Sequence, residues 1–239
     1  SLAFDVFLHL GSLIAVLWIF RADIIRMIQA FLLSIGDIIQ HRFKEGFYSD
    51  PYKRLVWYVI IATIPVGLVG VLFESQVESL FAGALYVPAF FLFVTGTILY
   101  LSQRMNSGEV DLSNLSLKES IFMGLGQACA ILPGLSRSGT TIAAGLVIGL
   151  DKEFAAKFSF ILSIPAILGA FVVQLKDIGT ITDFNALAIL FGFLAALISG
   201  YLAIKWLLEL IQKRSLDIFA YYCWIVGIIV FMGSITHLF

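Results

Sequence analysis

The residues best fitted for chemistry crowd into a single stretch, Gly124-Leu125-Gly126-Gln127-Ala128-Cys129-Ala130-Ile131-Leu132-Pro133-Gly134-Leu135-Ser136-Arg137-Ser138-Gly139-Thr140-Thr141. Arg137 stands in an otherwise apolar region, and a charge in such a place marks a pathway or a ligand site. Its planar guanidinium can grip two phosphate oxygens at once, which a lysine cannot do. Ser136, Ser138, Thr140 and Thr141 add compact hydroxyl donors. Gly134 and Gly139, with Pro133, free the loop to present backbone amides. A short helix beginning at Ser138 or Gly139 would turn its N-terminal N–H groups toward an anion. Gln127 lies on the half-helix leading into the loop, where it serves equally to hydrogen-bond the loop or a ligand. Together these groups describe a cradle for phosphate or diphosphate. The plainer reading is an arginine neutralised by loop carbonyls or one acidic neighbour, with the hydroxyls capping the helix. The number of hydroxyls and glycines argues against it.

The elements that must hold this stretch are membrane elements. Sixty per cent of the 239 residues are hydrophobic and 13% charged, against roughly half and a quarter in ordinary globular proteins. With a mean hydropathy of +1.00, too little polar surface exists to clothe a water-soluble globule of this size. The expected class is therefore an all-α polytopic membrane protein. A net charge of -1 gives no case for nucleic acid as a partner, since phosphate-backbone binding needs a clustered cationic face. Cys129 and Cys223, both in apolar runs, suggest neither a disulfide framework nor a metal cluster. Six segments are long enough to cross a bilayer: 4–20, 55–73, 86–102, 158–175, 186–204 and 218–238. The apolar region 119–150 differs, because Pro133 to Gly139 divide it into halves too short to span. It is expected to be a re-entrant helix, loop and helix, tolerated only where protein or a wet cavity satisfies the loop amides.

Basic residues give the orientation. If the first span runs from outside to inside, all of the 15 Lys and Arg residues except Lys176 and Arg137 fall on the cytoplasmic side. Between the first two spans, Ile24, Ile25, Ile28, Phe31, Leu32, Ile35, Ile38 and Ile39 recur at helical spacing opposite Arg21, Asp23, Arg26, Gln29, Asp37 and Gln40. That pattern predicts an amphipathic helix lying along the inner interface.

Laying Phe4 to Ala15 over Phe158 to Gly169, an offset of 154 residues, brings apolar, polar and small positions into coincidence. Three spans begin before the interrupted segment, so the copies run in opposite directions, as in an inverted repeat. The expectation is one integral membrane domain over 1–239, with 1–102 the remainder of the first repeat and 103–239 the second. The second copy is preceded by the broken helix. A counterpart for the first would lie about 20 residues upstream of Ser1, so the chain is expected to lack the first re-entrant element. It opens on Ser1 with no charged leader, and reads as a trimmed piece rather than a signal-bearing precursor. Asp5 and His9 sit one turn apart on the first span, as do Ser159 and Ser163 on its repeat mate. His9 reads either as a structural hydrogen-bonder or as a cavity-lining site residue.

The run GLGQACAILPGLSRSGTT resembles the signature of the undecaprenyl-pyrophosphate phosphatases, membrane enzymes that recycle the lipid carrier of cell-wall synthesis and confer bacitracin resistance. FDVFLHLGSLIAVL at the front and FSFILSIPAILGA behind extend the resemblance over essentially the whole chain. It implies hydrolysis of undecaprenyl pyrophosphate to undecaprenyl phosphate and inorganic phosphate, on an inverted-repeat fold with two re-entrant loops. On that reading Arg137 binds the phosphates, with Ser136 and Ser138 as catalytic neighbours. Gln127, Gly134, Gly139, Thr140, Thr141 and His9 are the substrate-binding candidates. The resemblance also implies a divalent cation, Mg or Ca, although no residue here is singled out as its ligand. The implied partners are the prenyl diphosphate and membrane lipids, and a homo-oligomer is compatible with this. The place is the plasma membrane, with the cavity open to the outer face. The family's other motif, an acidic pair with a Ser/His-containing loop, has no counterpart and is expected before Ser1. Glu74 and Glu78 have the spacing of the acidic pair but follow the second span at the outer surface, which suits a solvated loop. Interrupted helices in inverted repeats also build secondary transporters, so a carrier or flippase of a phosphorylated lipid is the alternative.

Overall fold

A computed structural model describes residues 2–81, 85–105, 108–178, 186–213 and 216–236. The side chains of Asp5, Glu74, Glu78 and Lys176, together with Arg214 and the last residues of the sixth expected span, lie outside the described residues. Those described form helices: α1 (Leu2–Ile19), α2 (Arg21–Ile39), α3 (Phe43–Ser49), α4 (Pro51–Leu72), α5 (Glu74–Phe81), α6 (Tyr86–Ser102), α7 (Leu117–Cys129), α8 (Arg137–Val147), α9 (Lys152–Ile178), α10 (Ala186–Lys213) and α11 (Asp217–Ile235). An isolated bridge pairs Val110 with Leu150.

Four helices, α4, α9, α10 and α11, are long and apolar enough to cross a membrane. A fifth crossing is obtained if α1 and α2, bent by 85° at Phe20, are counted as one span. α6 starts and stops where the hydropathy pattern places it, but at 17 residues it is short for a crossing. The expected all-α class is thus present, with four to five candidate spans. α4 and α9 each carry an internal proline, Pro65 and Pro165. Membrane helices tolerate this because neighbouring groups re-satisfy the freed carbonyl.

α9 begins at Lys152, earlier than apolar content suggests, because Asp151 caps it by accepting from the Phe154 amide at 3.0 Å. Upstream, Gly149 at φ +93° closes α8 in the left-handed conformation that suits glycine. The Leu150 amide returns to the Gly145 carbonyl at 2.9 Å.

The chain forms two compact units. Ser1–Val56 and Phe160–Glu209 make the first. There Ala15, Val16, Phe20, Phe160 and Ile204 form a buried core, with the Phe20 and Phe160 rings stacked at 5.8 Å. α1 and α10 run parallel at close range: Gly11 lies against Phe193 and Leu197, and Gly200 against Ser12 and Ala15. α2 is tied down by Lys53 Nζ on Asp37 at 2.5 Å and by the Tyr52 hydroxyl donating to Asp23 at 2.6 Å. It buries only Ala30 and Ser34 and leaves Ile25, Ile28, Leu32, Ile35, Ile38 and Ile39 exposed. Ile25, Ile28, Leu32, Ile35, Ile38 and Ile39 of the stripe read from the sequence are thus free to face lipid, while Ile24 packs on the core.

Trp57–Ser159 and Leu210–Phe239 make the second unit. α6 buries Ala89, Thr95, Gly96, Leu99 and Ser102, and its C-terminal half is clamped by α11. The Trp224 indole N–H donates to Thr97 at 3.4 Å, and the Tyr100 and Trp224 rings lie 5.2 Å apart. Arg104 both covers Tyr100 at 3.2 Å and pairs with Asp217 at 3.2 Å. A Cβ on Gly96 would stand 2.6 Å from the Trp224 ring and 2.9 Å from the Ala220 carbonyl, so the α6–α11 seam admits only hydrogen there. Gly96→Ala should lower stability by about 1–3 kcal/mol through overpacking. Gly67→Ala on α4, where nothing lies within 4 Å, should be neutral or stabilising by up to about 1 kcal/mol. Thermal unfolding of both variants in detergent checks the pair, and equal melting temperatures would contradict this seam.

Candidate functional site

α7 and α8, of 13 and 11 residues, are about 20 and 16 Å long at helical rise, well short of a hydrocarbon core of about 30 Å. They are two packed half-length helices joined by a loop over residues 130–136. Ser116 opens α7 with a capping box completed by Glu119. Close packing follows from small residues: Gly126 lies against Ala144 and Thr140, Gly145 against Ala155 and Met123, and Gly124 against the Ala62 carbonyl of α4.

The loop is shaped by one buried hydroxyl. Thr95 of α6 donates to the Gly134 carbonyl at 3.2 Å and accepts the Ser136 amide at 3.2 Å. It thereby satisfies a donor and an acceptor two residues apart. Gly134 adopts φ +93° with its α-carbon turned against the Pro88 carbonyl, where any Cβ would collide. Gly139 packs over Leu99. Pro88, Thr95 and Leu99 thus make one face of α6 a template for the loop.

α8 begins at Arg137, ahead of the expected Ser138 or Gly139, because Ser136 takes the N-cap position. Its Oγ accepts the Gly139 amide at 3.2 Å, and its carbonyl accepts the Thr140 amide at 2.8 Å. The amides of Arg137 and Ser138, first in the helix, have no intrahelical acceptor. Beside them is the Arg137 side chain, whose Nη1 is buried without a hydrogen-bond partner. Arg137 is in neither of the ion pairs Lys53–Asp37 and Arg104–Asp217, and no carboxylate bonds its Nη1. Thr140 Oγ1 is likewise buried and unbonded. Cation, helix terminus and spare amides converge on one place, the arrangement that receives an anion.

The remaining candidates fall out differently. The Thr141 hydroxyl is fully buried, bonding the Arg137 carbonyl at 2.8 Å and Ser159 of α9 at 2.5 Å, so it ties α8 to α9. Gln127 is buried on α7 in the same unit. Ser138 and Gly134 are half-buried on the loop and first turn. His9 is exposed on α1 and belongs to the first unit. Thr95 was not found by sequence reasoning. The only signal for it is a hydroxyl pair, Thr95 and Thr97, flanking Gly96 in an otherwise apolar run. Among the described residues no group of three or more His, Cys, Asp or Glu side chains could hold a metal ion. Residues 124–141 hold no carboxylate or histidine, so no ligand for a divalent cation is assigned to this loop.

Replacing Thr95 with Val should leave the Ser136 amide and Gly134 carbonyl buried and unpaired, destabilising by about 2–4 kcal/mol. It should also raise amide hydrogen exchange in peptides covering 132–138. Thr95→Ser should restore both readouts, and unchanged exchange in the valine variant would remove the template role.

The profile of the family described as Bacitracin resistance protein BacA matches residues 1–229. A protein of Methanosphaera stadtmanae named undecaprenyl-diphosphatase is 46% identical over 238 residues, covering 99% of this chain and 86% of that protein. One of the same name from Methanothermobacter thermautotrophicus is 49% identical over 180 residues, covering 74% of this chain and 99% of its own length. A third, from Alkaliphilus metalliredigens, is 38% identical over 232 residues, covering 96% and 83%.

Proposed function

The chain belongs to the BacA family, and on that premise we infer that it hydrolyses undecaprenyl diphosphate to undecaprenyl phosphate and inorganic phosphate. The family resemblance assigns this reaction a place in recycling the lipid carrier of cell-wall synthesis. The observation that carries the reading is the buried, unbonded Nη1 of Arg137 beside the free first-turn amides of α8. A cation left unpaired in an apolar surrounding is stable only if a ligand brings the opposite charge.

In the reaction, water adds to the terminal phosphorus and the bond from that phosphorus to the bridging oxygen breaks. Undecaprenyl phosphate leaves with the bridging oxygen, and the water oxygen ends in inorganic phosphate. Charge builds on the non-bridging and bridging oxygens, where fixed donors act without reorganisation. Arg137 supplies the forked contact, the amides of Arg137 and Ser138 line the helix terminus, and the Ser138 and Thr140 hydroxyls add donors. Ser136 serves by holding the first turn of α8 with its Oγ. No carboxylate or histidine occurs between Gly124 and Thr141, so the group that activates water is not in this loop.

The proposed setting is the plasma membrane. Six crossings surround a re-entrant pair α7–α8 in one inverted-repeat domain, with a substrate cavity open to the outer face. Support comes from the half-length of α7 and α8 and from the one-sided distribution of Lys and Arg. A prenyl tail can stay in hydrocarbon while its charged head reaches such a loop. A homo-oligomer is compatible with this setting. A divalent cation remains part of the proposal with no protein ligand assigned; chelation with EDTA should stop turnover and added Mg or Ca should restore it.

Phosphate release from undecaprenyl diphosphate in detergent tests the reaction, because a carrier has no second side to deliver to there and releases none. Arg137→Lys keeps the charge but loses the fork, and should reduce release by roughly 10²-fold. Near-normal turnover in that variant would overturn the assignment.

A further inference from the structure

The first unit carries a feature of its own. An apolar groove of about 350 Å³ runs between α1 and α10, lined by Ile14, Trp18, Leu197, Ile198, Tyr201 and Leu202. This is the small end of the range for ligand clefts. Trp18, Ile198 and Leu202 are each more than half exposed, so the groove opens outward along two helices with apolar faces, where lipid chains are the solvent.

One end of the groove is chemically distinct. α1 and α10 run parallel, so Trp18 and Tyr201 lie at the same end, and the next turn of each helix path carries a cation. Arg21 folds back on the rim, its guanidinium 5.4 Å from the Trp18 ring centroid and its Nη1 donating to the Trp18 carbonyl at 3.0 Å. Lys205 follows Tyr201 by four residues and is exposed. Neither cation is in an ion pair among the described residues. Asp23 accepts from the Tyr52 hydroxyl, and Glu209, one turn beyond Lys205, is in neither of the ion pairs Lys53–Asp37 and Arg104–Asp217. An apolar slot, then amphipathic aromatics, then unpaired cations is the order of chain, interface and phosphate in a lipid.

We propose that this groove is a binding site for an anionic glycerophospholipid, with one acyl chain against Ile14, Ile198 and Leu202 and the headgroup phosphate on Arg21 and Lys205. Charge complementarity selects the anionic class, since a zwitterionic headgroup brings its own cation to the same place. Each phosphate–cation contact near a membrane surface contributes roughly fivefold in affinity, so the pair should prefer an anionic lipid by roughly ten- to thirtyfold.

The test is quenching of Trp18 fluorescence in detergent by phosphatidylglycerol with brominated acyl chains, against phosphatidylcholine carrying the same chains. The Trp18 signal is the difference between the native chain and Trp18→Phe, since the chain holds 4 tryptophans. The expected result is half-maximal quenching at ten- to thirtyfold lower phosphatidylglycerol. That preference should be lost in Arg21→Gln/Lys205→Gln with the circular dichroism spectrum unchanged. Equal quenching by both lipids, or a preference that survives the double substitution, would overturn the site. So would displacement of phosphatidylglycerol by stoichiometric prenyl diphosphate, which would make the groove a substrate contact. Should the double variant fail to fold, Lys205→Gln alone must still reduce the preference about fivefold.

Discussion

The structure turns on one guanidinium placed in apolar surroundings without a protein partner of opposite charge. Desolvating a cation is strongly unfavourable, and proteins normally offset it with a carboxylate or a full set of carbonyls. Arg137 has neither for its Nη1, and the surrounding backbone offers further donors rather than acceptors: the first amides of α8. A site rich in donors is complementary to a multiply charged anion. For a member of the BacA family, the proposed anion is a diphosphate carried on a prenyl lipid.

Holding such a site open demands rigidity from elements that do not touch the ligand. The chain of dependence starts at the α6–α11 seam, where Gly96 lets Trp224 lie flat on α6 and Arg104 pairs with Asp217. A fixed α6 presents Thr95 at one depth, and Thr95 sets the Gly134–Ser136 backbone. Ser136 then caps α8, fixing where Arg137 emerges. Behind it, Thr141 and Ser159 bind the first turns of α8 to α9. Backbone-anchored loops of this kind are what preorganised charge stabilisation requires, since donors free to relax would lose much of their advantage.

Much of this was legible in residue order, and the failures have physical reasons. Pro133 and Gly134 announced the break between α7 and α8, because neither the missing amide nor the left-handed turn suits a continuous helix. The start of α8 was misplaced because Ser136 and Ser138 are equally good caps by type, and only the contact of Ser136 with Thr95 chooses between them. Thr95 itself is invisible for a tertiary reason: its partners lie 39 and 41 residues away, and an apolar helix with a few hydroxyls reads as a span. Composition likewise could not say that Thr141 spends its hydroxyl on Ser159 and the first-turn carbonyls of α8. Hydropathy placed α6 to the residue yet missed the early start of α9, since a run of charges hides a helix that Asp151 caps. The 85° turn at Phe20 carries no proline or glycine to reveal it.

The central claim is that a diphosphate completes the coordination of Arg137. A structure of the protein with a prenyl methylene-diphosphonate, which cannot be hydrolysed, tests it most directly. Phosphonate oxygens should lie within hydrogen-bond distance of Arg137 Nη1 and of the Arg137 and Ser138 amides, with the loop backbone unmoved. A diphosphonate bound elsewhere, with Nη1 bonded to a protein carbonyl or carboxylate, would contradict it.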